Sequence, residues 1–316
     1  MRNEFEFIDD IKSRHDLSKV GDDCAVLPKD DKTDLLITSD MLVEGIDFRL
    51  DWATPEQIGH KALAVSLSDI AAMGGTPTYA MLSIAIVENL WKGDFLDEFY
   101  KGWRRLAKVF KVELIGGDIS RTSGPLTIDS TVLGEVPKGT AIMRSGARVG
   151  DAIHVLGSLG AAAGGLCLLP RSIDAGTPSD VRTLVKRQLE AGGDINGGKY
   201  LRKHNLASAM IDLSDGLSSD LAHICAASNV GAAINADALP IEPALSSFFS
   251  PEECFEMALN GGEDFQLLFT GDEKKISAAN VPQITRIGTI TANVGIIELI
   301  SGELRTRIEP RGYRHF

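Results

Sequence analysis

Short apolar runs bounded by glycine, proline or aspartate dominate the first half of the chain. Such runs are typical of β-strands, because a strand needs only a few apolar residues between turn formers. They predict four strands, at residues 33–40, 78–87, 112–117 and 125–136. Longer segments with helical spacing lie between these strands, so the pattern indicates an α+β arrangement.

The clearest predicted helix follows the first strand. Thr54 stands at its N-cap, Pro55 at its first helical position, and Gln57 completes a capping box. The apolar pattern ends at Met73, and we expect Gly74 to be the C-cap. Asp69 would then lie about one turn before the end of this helix.

A second helix is predicted over residues 94–110, where large side chains recur at helical spacing. We expect this stripe to lie in the core, and it consists of Phe95, Phe99, Trp103, Leu106, Val109 and Phe110.

The texture of the chain changes after Pro137, where Gly and Ala become more frequent. Residues 144–151 are typical of a linker that enters a second domain. The second half again mixes two kinds of element: strands at 151–157, 208–214, 265–270, 285–290 and 295–300, and helices at 179–191 and 215–228.

Composition and charge narrow the function classes. The 316 residues carry a formal net charge of -12 without a Lys/Arg cluster, which argues against a nucleic-acid surface. No apolar run approaches the ~20 residues of a membrane helix, and the first residues do not resemble a signal peptide. We therefore expect a cytoplasmic protein with no nucleic-acid or membrane partner. The cysteines lack zinc or disulfide spacing and predict buried thiols: Cys24, Cys167, Cys225 and Cys254.

Aspartates stand where several apolar segments end. Asp22 and Asp23 form a pair between a glycine and an apolar run, and further examples are Asp40, Asp69, Asp118, Asp212 and Asp215. Each one alone fits a turn or a cap. Brought together, they would repel one another unless cations lay between them. Ligands that are all oxygen and rich in carboxylate favour Mg²⁺, which is commonly bridged to a polyphosphate.

Two glycine-rich stretches are candidates for holding phosphate. Residues 116–121 follow a strand, and the glycines of residues 156–165 open a helix. Residues 193–200, GDINGGKY, resemble a P-loop, but they follow a helix-like stretch and place Tyr200 where a small hydroxyl is needed. We expect a loop between helices there. No arrangement typical of an activated nucleophile competes with the carboxylates.

Taken in order, the motifs of the chain resemble the thiamine-monophosphate kinase family, within the superfamily of aminoimidazole ribonucleotide synthetase. The motifs are KVGDDCAVL, TSDMLVEGIDF, HKALAVSLSDIAAMGG, LIGGDISR, RSGARVGD, IDLSDGLSSDL, GGEDFQLLF and GYRHF. The resemblance implies a two-domain PurM-like α+β fold and a homodimer. Residues 1–137 would bind ATP and Mg²⁺ and pair with their twin into a β-barrel, and residues 138–316 would form an α+β sandwich domain.

The resemblance also implies roles for individual residues. Several Mg²⁺ ions per site would be held by Asp23, Thr38, Ser39, Asp40, Asp69, Asp118, Asp212 and Asp215. Nucleotide contacts would come from Tyr100, Gly117, Asp118, Arg144 and Ser214. Substrate contacts would come from Asp47, Glu263 and Tyr313, and the catalytic set would be Asp40, Asp69 and Asp118.

The implied reaction is transfer of the γ-phosphoryl group of ATP to thiamine monophosphate, giving thiamine diphosphate and ADP. The acceptor is a phosphate monoester whose second pKa lies near ~6, so its oxygen is already an anion at neutral pH. Such a reaction needs positioning and charge neutralisation but no general base.

Three positions depart from the family pattern, and all bear on recognition of the acceptor. Asp47 stands where the family usually carries His, Ala161 stands where Asp is usual, and residues 192–198 replace a stretch with Pro and Arg. Two alternatives stay open. The chain could be another ATP-using enzyme of the superfamily with a different acceptor, or a nucleotide or thiamine-phosphate binding protein without turnover.

Overall fold

Two mixed β-sheets organise the chain, one in each half. The structure is a computed structural model, and it describes residues 4–15, 17–169, 176–279, 281–313 and 315. The first sheet has the strand order β1-β2-β5-β3-β4, with β3 and β4 parallel and the other pairs antiparallel. Its strands are β1 Ala25–Pro28, β2 Thr33–Val43, β3 Thr76–Ile86, β4 Glu113–Arg121 and β5 Thr127–Pro137. The helices of this half are α1 Glu4–His15, α2 Pro55–Ala72, α3 Glu88–Trp91 and α4 Phe95–Phe110.

The second sheet has seven strands in the order β12-β11-β8-β10-β6-β9-β7. They are β6 Ala152–Leu156, β7 Ala209–Asp212, β8 Gly231–Asn235, β9 Leu267–Gly271, β10 Ile284–Thr291, β11 Ile297–Ser301 and β12 Leu304–Ile308. The helices are α5 Ala161–Leu168, α6 Ser179–Leu189, α7 Ile195–Lys203, α8 Leu217–Ser228, α9 Pro251–Asn260 and α10 Glu273–Ala279. Short 3-10 turns lie at Ala236–Ala238 and Pro243–Ser247.

Helix α2 lies at the centre of the molecule and is buried along most of its length. It packs against the first sheet and α4 on one side, and against α7 and β7 of the second half on the other. Its start has the predicted capping box between Thr54 and Gln57. Its C-cap is Met73, and Gly74 follows with φ +67°, so the prediction placed the cap one residue too late. The last turn of α2, with Asp69, therefore faces the junction of the two halves.

The P-loop-like run was correctly rejected, but the expected loop is mostly helix, because α7 begins at Ile195. Its glycines serve helix packing. A Cβ on Gly198 would lie 2.0 Å from the Ala71 carbonyl oxygen of α2, and one on Gly193 would lie 2.5 Å from the Ser68 Cα. Only glycine permits this approach of α7 to α2.

Three further predictions, on two side chains and on one segment of the chain, were partly wrong. Val109 is 68% exposed on α4, although Phe95, Phe99 and Trp103 are buried as expected. Cys167 is exposed, whereas the other cysteines are buried. Residues 116–121 lie within strand β4 itself, whereas the sequence placed them after a strand.

Neither sheet closes into a barrel over the described residues, so the predicted N-terminal barrel is not confirmed by a single chain. The first sheet is open, with β1 and β4 at its edges. Along β2 the side chains alternate: Leu36 and Thr38 are buried toward α2, whereas Ser39 and Met41 face outward. No described helix is both long and apolar enough to span a bilayer.

Candidate active site

Three carboxylates from distant segments meet at the junction of the two halves. Asp23 precedes β1, Asp69 lies in the last turn of α2, and Asp212 ends β7. Each brings an oxygen atom to within 4.8 Å of the others. All three belong to the aspartates that the sequence singled out and that the family resemblance assigned to Mg²⁺. We call Asp23, Asp69 and Asp212 the carboxylate cluster.

Burial makes the ionised form of these carboxylates costly. It is the main cause that raises the pKa of Asp212 to about 8, and the charge of Asp23 adds to the effect. Burial also raises the pKa of Asp69 well above its usual range, helped by the nearby charges of Asp40 and Asp212. Carboxylates in this setting bind a proton or a cation, because repulsion in a poorly hydrated place is strong.

Hydrogen bonds fix the orientation of the cluster. The Thr38 hydroxyl donates to Asp69, and the Ser68 Oγ donates to Asp212 over 2.6 Å. Arg144 donates to the Oδ1 atom of Asp23 through Nη2, at 2.6 Å, and through Nε, at 3.2 Å. The other oxygen of Asp23, Oδ2, is buried and has no hydrogen-bond partner among the residues that the structure describes.

These observations fit a divalent cation with oxygen ligands. Three convergent carboxylates, a nearby threonine hydroxyl and one orphaned buried carboxylate oxygen form the donor set that Mg²⁺ prefers. Zinc and copper sites use His or Cys ligands, and no His or Cys of the described residues joins this cluster. The nearby Cys24 is a buried thiol whose pKa is raised well above its usual range, first by burial and then by the charge of Asp69.

Asp40 and Asp22 lie beside the cluster. The Ser66 Oγ donates to Asp40 over 2.6 Å, and burial raises the pKa of Asp40 to about 6. Asp22 accepts the backbone N–H of Arg144, and burial followed by the charge of Asp23 raises its pKa to about 6. The acidic region therefore includes at least five carboxylates: the three of the cluster, Asp40 and Asp22.

Besides Asp215, two predicted metal ligands lie away from the cluster within one chain. The Ser39 side chain lies on the open face of the first sheet, where its Oγ lies 3.2 Å from an oxygen of Asp129. Asp118 is exposed on the edge strand β4, and its side chain accepts the N–H of Ile119 over 2.9 Å. The sequence pattern alone did not indicate which face of each strand would be covered.

A second acidic group begins three residues after Asp212. Asp215, Asp220 and His223 each bring one ligand atom within 4.8 Å of the others. Asp220 is buried and accepts the backbone N–H groups of Gly216, at 3.0 Å, and Asp215, at 3.2 Å. Sequence reasoning missed Asp220 and His223, although their i, i+3 spacing on α8 places them on one helical face.

A cavity of about 780 Å³ opens next to Asp40, between the two halves. Its wall includes two predicted acidic ligands and every predicted substrate contact: Asp40, Asp47, Asp215, Glu263 and Tyr313. Aromatic and aliphatic side chains line another part of the wall: Phe48, Trp52, Leu166, Leu169 and Phe265. The apolar part of the wall suits an organic ring, and the acidic part suits cations that can bridge to a phosphate.

Asp47 has a local structural role. Its Oδ2 accepts the N–H of Val43 over 2.7 Å, and its own N–H donates to the Val43 carbonyl over 2.9 Å. The carboxylate thus closes the turn at residues 43–47 on the cavity wall. Sequence comparison with the family had marked this position as a departure without indicating this contact.

The predicted nucleotide contacts are spread over four places in the single chain. Arg144 binds Asp23, and Ser214 lines the large cavity. Tyr100 lines a separate cavity of about 700 Å³ between α4 and the start of β4, together with Trp103, Arg104, Lys108 and Leu114. Gly117, with φ +144°, lies on exposed β4 beside Asp118.

The glycine-rich stretch 156–165 does open helix α5, but a protein carboxylate occupies the position expected for phosphate. Asp264 accepts the N–H of Gly160 over 2.5 Å and that of Ala162 over 3.0 Å. Burial raises the pKa of Asp264 to about 6, and these two bonds oppose the rise. A helix N-terminus that already binds a carboxylate does not provide a phosphate site.

Comparison with known proteins agrees with this architecture. The family described as AIR synthase related protein, N-terminal domain, matches residues 21–136, and its C-terminal domain counterpart matches residues 148–299. Thiamine-monophosphate kinase from Escherichia coli (strain K12) is 40% identical over 306 residues, covering 94% of this chain and 91% of that protein. The Bacillus subtilis (strain 168) enzyme of that name is 34% identical, covering 99% of each.

A solved structure of AaThiL complexed with AMPPCP and TMP superposes with a TM-score of 0.89 at 33% identity, covering 99% of this chain and 97% of that chain. The fold is thus the predicted two-domain PurM-like α+β fold. Identity at this level over nearly the full length places the chain among enzymes. The chain belongs to the thiamine-monophosphate kinase family.

Proposed function

We propose that this protein transfers the γ-phosphoryl group of ATP to thiamine monophosphate, giving thiamine diphosphate and ADP. The observation that carries the proposal is the carboxylate cluster beside a cavity whose wall includes Glu263 and Tyr313. The relatives named above are thiamine-monophosphate kinases, and one solved relative holds AMPPCP and TMP.

Mg²⁺ would be held by Asp23, Asp69 and Asp212, with Thr38 and Asp40 beside them and Asp215 at the cavity wall. Bound there, the metal supplies neutralisation of charge on the transferring phosphate. Arg144 orients Asp23, and Ser68 orients Asp212. These side chains hold the carboxylates in place before substrate arrives, which lowers the cost of ordering the site.

No side chain is assigned as a general base. The acceptor phosphate has its second pKa near ~6, so an oxygen of thiamine monophosphate is an anion at neutral pH. The task of the protein is to bring two anions into line and to exclude water. Asp40 and Asp69 are the proposed catalytic residues of the described junction.

Glu263, Tyr313 and the turn containing Asp47 would bind the acceptor, because they line the large cavity. Ser214 lies on that wall and Arg144 beside the cluster, so both suit the phosphates of the nucleotide. Tyr100 would contact the base in the cavity between α4 and β4.

A homodimer is the second part of the proposal. The open face of the first sheet exposes Met41, Tyr79 and Met81, with exposed fractions of 61%, 41% and 40%. Covering this face with a second copy would bury apolar side chains and complete the barrel. Ser39, Gly117 and Asp118 would then lie within an assembly instead of on a free surface, which suits their proposed metal and nucleotide roles.

We also propose a domain boundary after residue 137, where β5 ends, with an N-terminal domain at 1–137 and a C-terminal domain at 138–316. Because ATP is the proposed co-substrate, we propose that the protein is located in the cytoplasm.

The test is an assay of the purified protein with ATP, Mg²⁺ and thiamine monophosphate, following thiamine diphosphate directly. Free thiamine serves as a parallel acceptor, and EDTA serves as the metal control. We expect diphosphate from the monophosphate only, and none with EDTA. ATP binding without any diphosphate would contradict the proposal and favour another acceptor or a binding protein.

A further inference from the structure

Lys61 carries a buried ammonium group at the large cavity. Its position on α2 lies within an apolar stretch, and the residue is only 4% exposed. Removing an ammonium from water is costly unless it is paired and hydrogen-bonded. The partners of Lys61 therefore indicate what it does.

Those partners are two of the residues proposed to bind the acceptor. Lys61 Nζ lies 2.5 Å from Oε1 of Glu263 and donates to the backbone carbonyl of Asp47 over 2.9 Å. The second oxygen of Glu263, Oε2, accepts a hydrogen bond from the amide of Gln188. Each carboxylate oxygen thus has its own buried donor, which fixes the plane of the carboxylate.

The backbone of Glu263 is also constrained. Its φ is +66°, a left-handed conformation that residues with a side chain rarely adopt. Its N–H donates to the Ser214 carbonyl over 2.7 Å. Conformations of this kind persist when surrounding contacts over-determine them, and they cluster at ligand-binding places.

We propose that Lys61 is a positioning residue, which holds the Glu263 carboxylate and the turn at residues 43–47 in the geometry that binds the acceptor. It links α2 of the first half to the Glu263 loop of the second half across the cavity. The proposal rests on the proposed function. Lys61 acts through Glu263 and the turn, and it is not assigned a contact with the substrate.

Isothermal titration calorimetry tests the positioning role of Lys61 without relying on turnover. Affinity for thiamine monophosphate and for a non-hydrolysable ATP analogue is measured for the wild type, Lys61→Met, Glu263→Gln and the double variant. Lys92→Met is the matched control, because Lys92 pairs with Glu88 on the exposed surface. Lys61→Gln replaces Lys61→Met if circular dichroism shows that the methionine variant does not fold.

We expect Lys61→Met to weaken binding of thiamine monophosphate by roughly 10- to 100-fold, the range found when residues that orient metal ligands are removed. Binding of the ATP analogue should change by less than about twofold. The double variant should bind thiamine monophosphate no more weakly than the weaker single variant, because both changes remove one interaction. Lys92→Met should match the wild type.

Three results would overturn the assignment. Unchanged affinity in Lys61→Met, with or without a lower melting temperature, would leave Lys61 a merely structural residue. Additive losses in the double variant would show that Lys61 acts independently of Glu263. A wild type that binds no thiamine monophosphate would remove the proposed function and this inference together, whereas the first two results leave the proposed function standing.

Discussion

Single residues of the site show a conflict between burial and charge. The fold places Asp23 and Asp212 among buried groups, where the ionised carboxylate is disfavoured. Ser68 and Arg144 offset part of that cost through hydrogen bonds. A bound proton or a bound cation offsets the rest of the cost of burying these carboxylates. Protons and Mg²⁺ therefore compete for the same oxygen atoms.

This competition predicts a dependence of stability on pH in EDTA. The pKa of Asp212 is about 8 in the folded chain, against a usual value of 3.8, so the folded state binds more protons than the unfolded state between these values. Stability that is present at low pH is therefore lost as pH rises through about 8, by at most roughly 1.4 kcal/mol per pH unit. Melting temperature measured from about pH 7 to about pH 9 should fall in EDTA.

Two controls sharpen that measurement. Mg²⁺ should raise the melting temperature more at about pH 9 than at about pH 7, because fewer protons remain to be displaced. Asp212→Asn should flatten the slope in EDTA. A wild-type melting temperature that rises with pH in EDTA would contradict the assigned burial of charge.

The sequence indicated the carboxylate cluster because Asp23, Asp69 and Asp212 lie beside or within apolar segments, and such segments pack against one another. It did not separate Thr38, which faces the cluster, from Ser39, which faces outward. That choice depends on which face of the sheet α2 covers, and a one-residue step reverses it. Lys61 was missed, since a lysine on a helix is most often a solvent-exposed residue.

Helix α7 packs closely against α2, the helix that carries Asp69. Gly193 and Gly198 lie at this contact, where the backbones of α7 and α2 come close. The same glycines make residues 193–200 resemble a P-loop in the sequence. The predicted elements were otherwise close to those observed, since β2, β5 and α2 have strong patterns and clear caps. Their mutual packing depends on distant partners that a local pattern does not specify.

The glycine contact predicts a loss of stability in Gly198→Ala. The new Cβ would lie 2.0 Å from the Ala71 carbonyl oxygen, so α7 must move away from α2. We expect a loss of roughly 1–3 kcal/mol in the free energy of unfolding, measured by urea denaturation. Gly192→Ala is the matched control, because its Cβ would meet open space. Equal midpoints for the two variants would refute the packing role of Gly198.

For the whole molecule, the open face of the first sheet predicts a dimer of the 33.9 kDa chain. Met81 lies on this face, in register with Thr131 of β5. Met81→Glu should place a charge in the interface and shift the protein toward monomer in light scattering after size exclusion.

Leu304→Glu serves as the control for that variant, because Leu304 is 66% exposed on β12 in the other sheet. It should leave the dimer intact. A wild-type protein that is monomeric at assay concentration would contradict the proposed barrel.

We propose that the carboxylate cluster drives phosphoryl transfer to thiamine monophosphate, and the variant Asp69→Asn removes one of its three carboxylates. Thiamine diphosphate formation is measured for this variant beside Asp94→Asn, which changes an exposed aspartate without a side-chain cap bond. Loss of several kcal/mol of charge stabilisation should lower the rate of Asp69→Asn by about a hundredfold or more, with unchanged circular dichroism. Asp94→Asn should match the wild type, and an Asp69→Asn rate close to wild type would rule out this role for the carboxylate cluster.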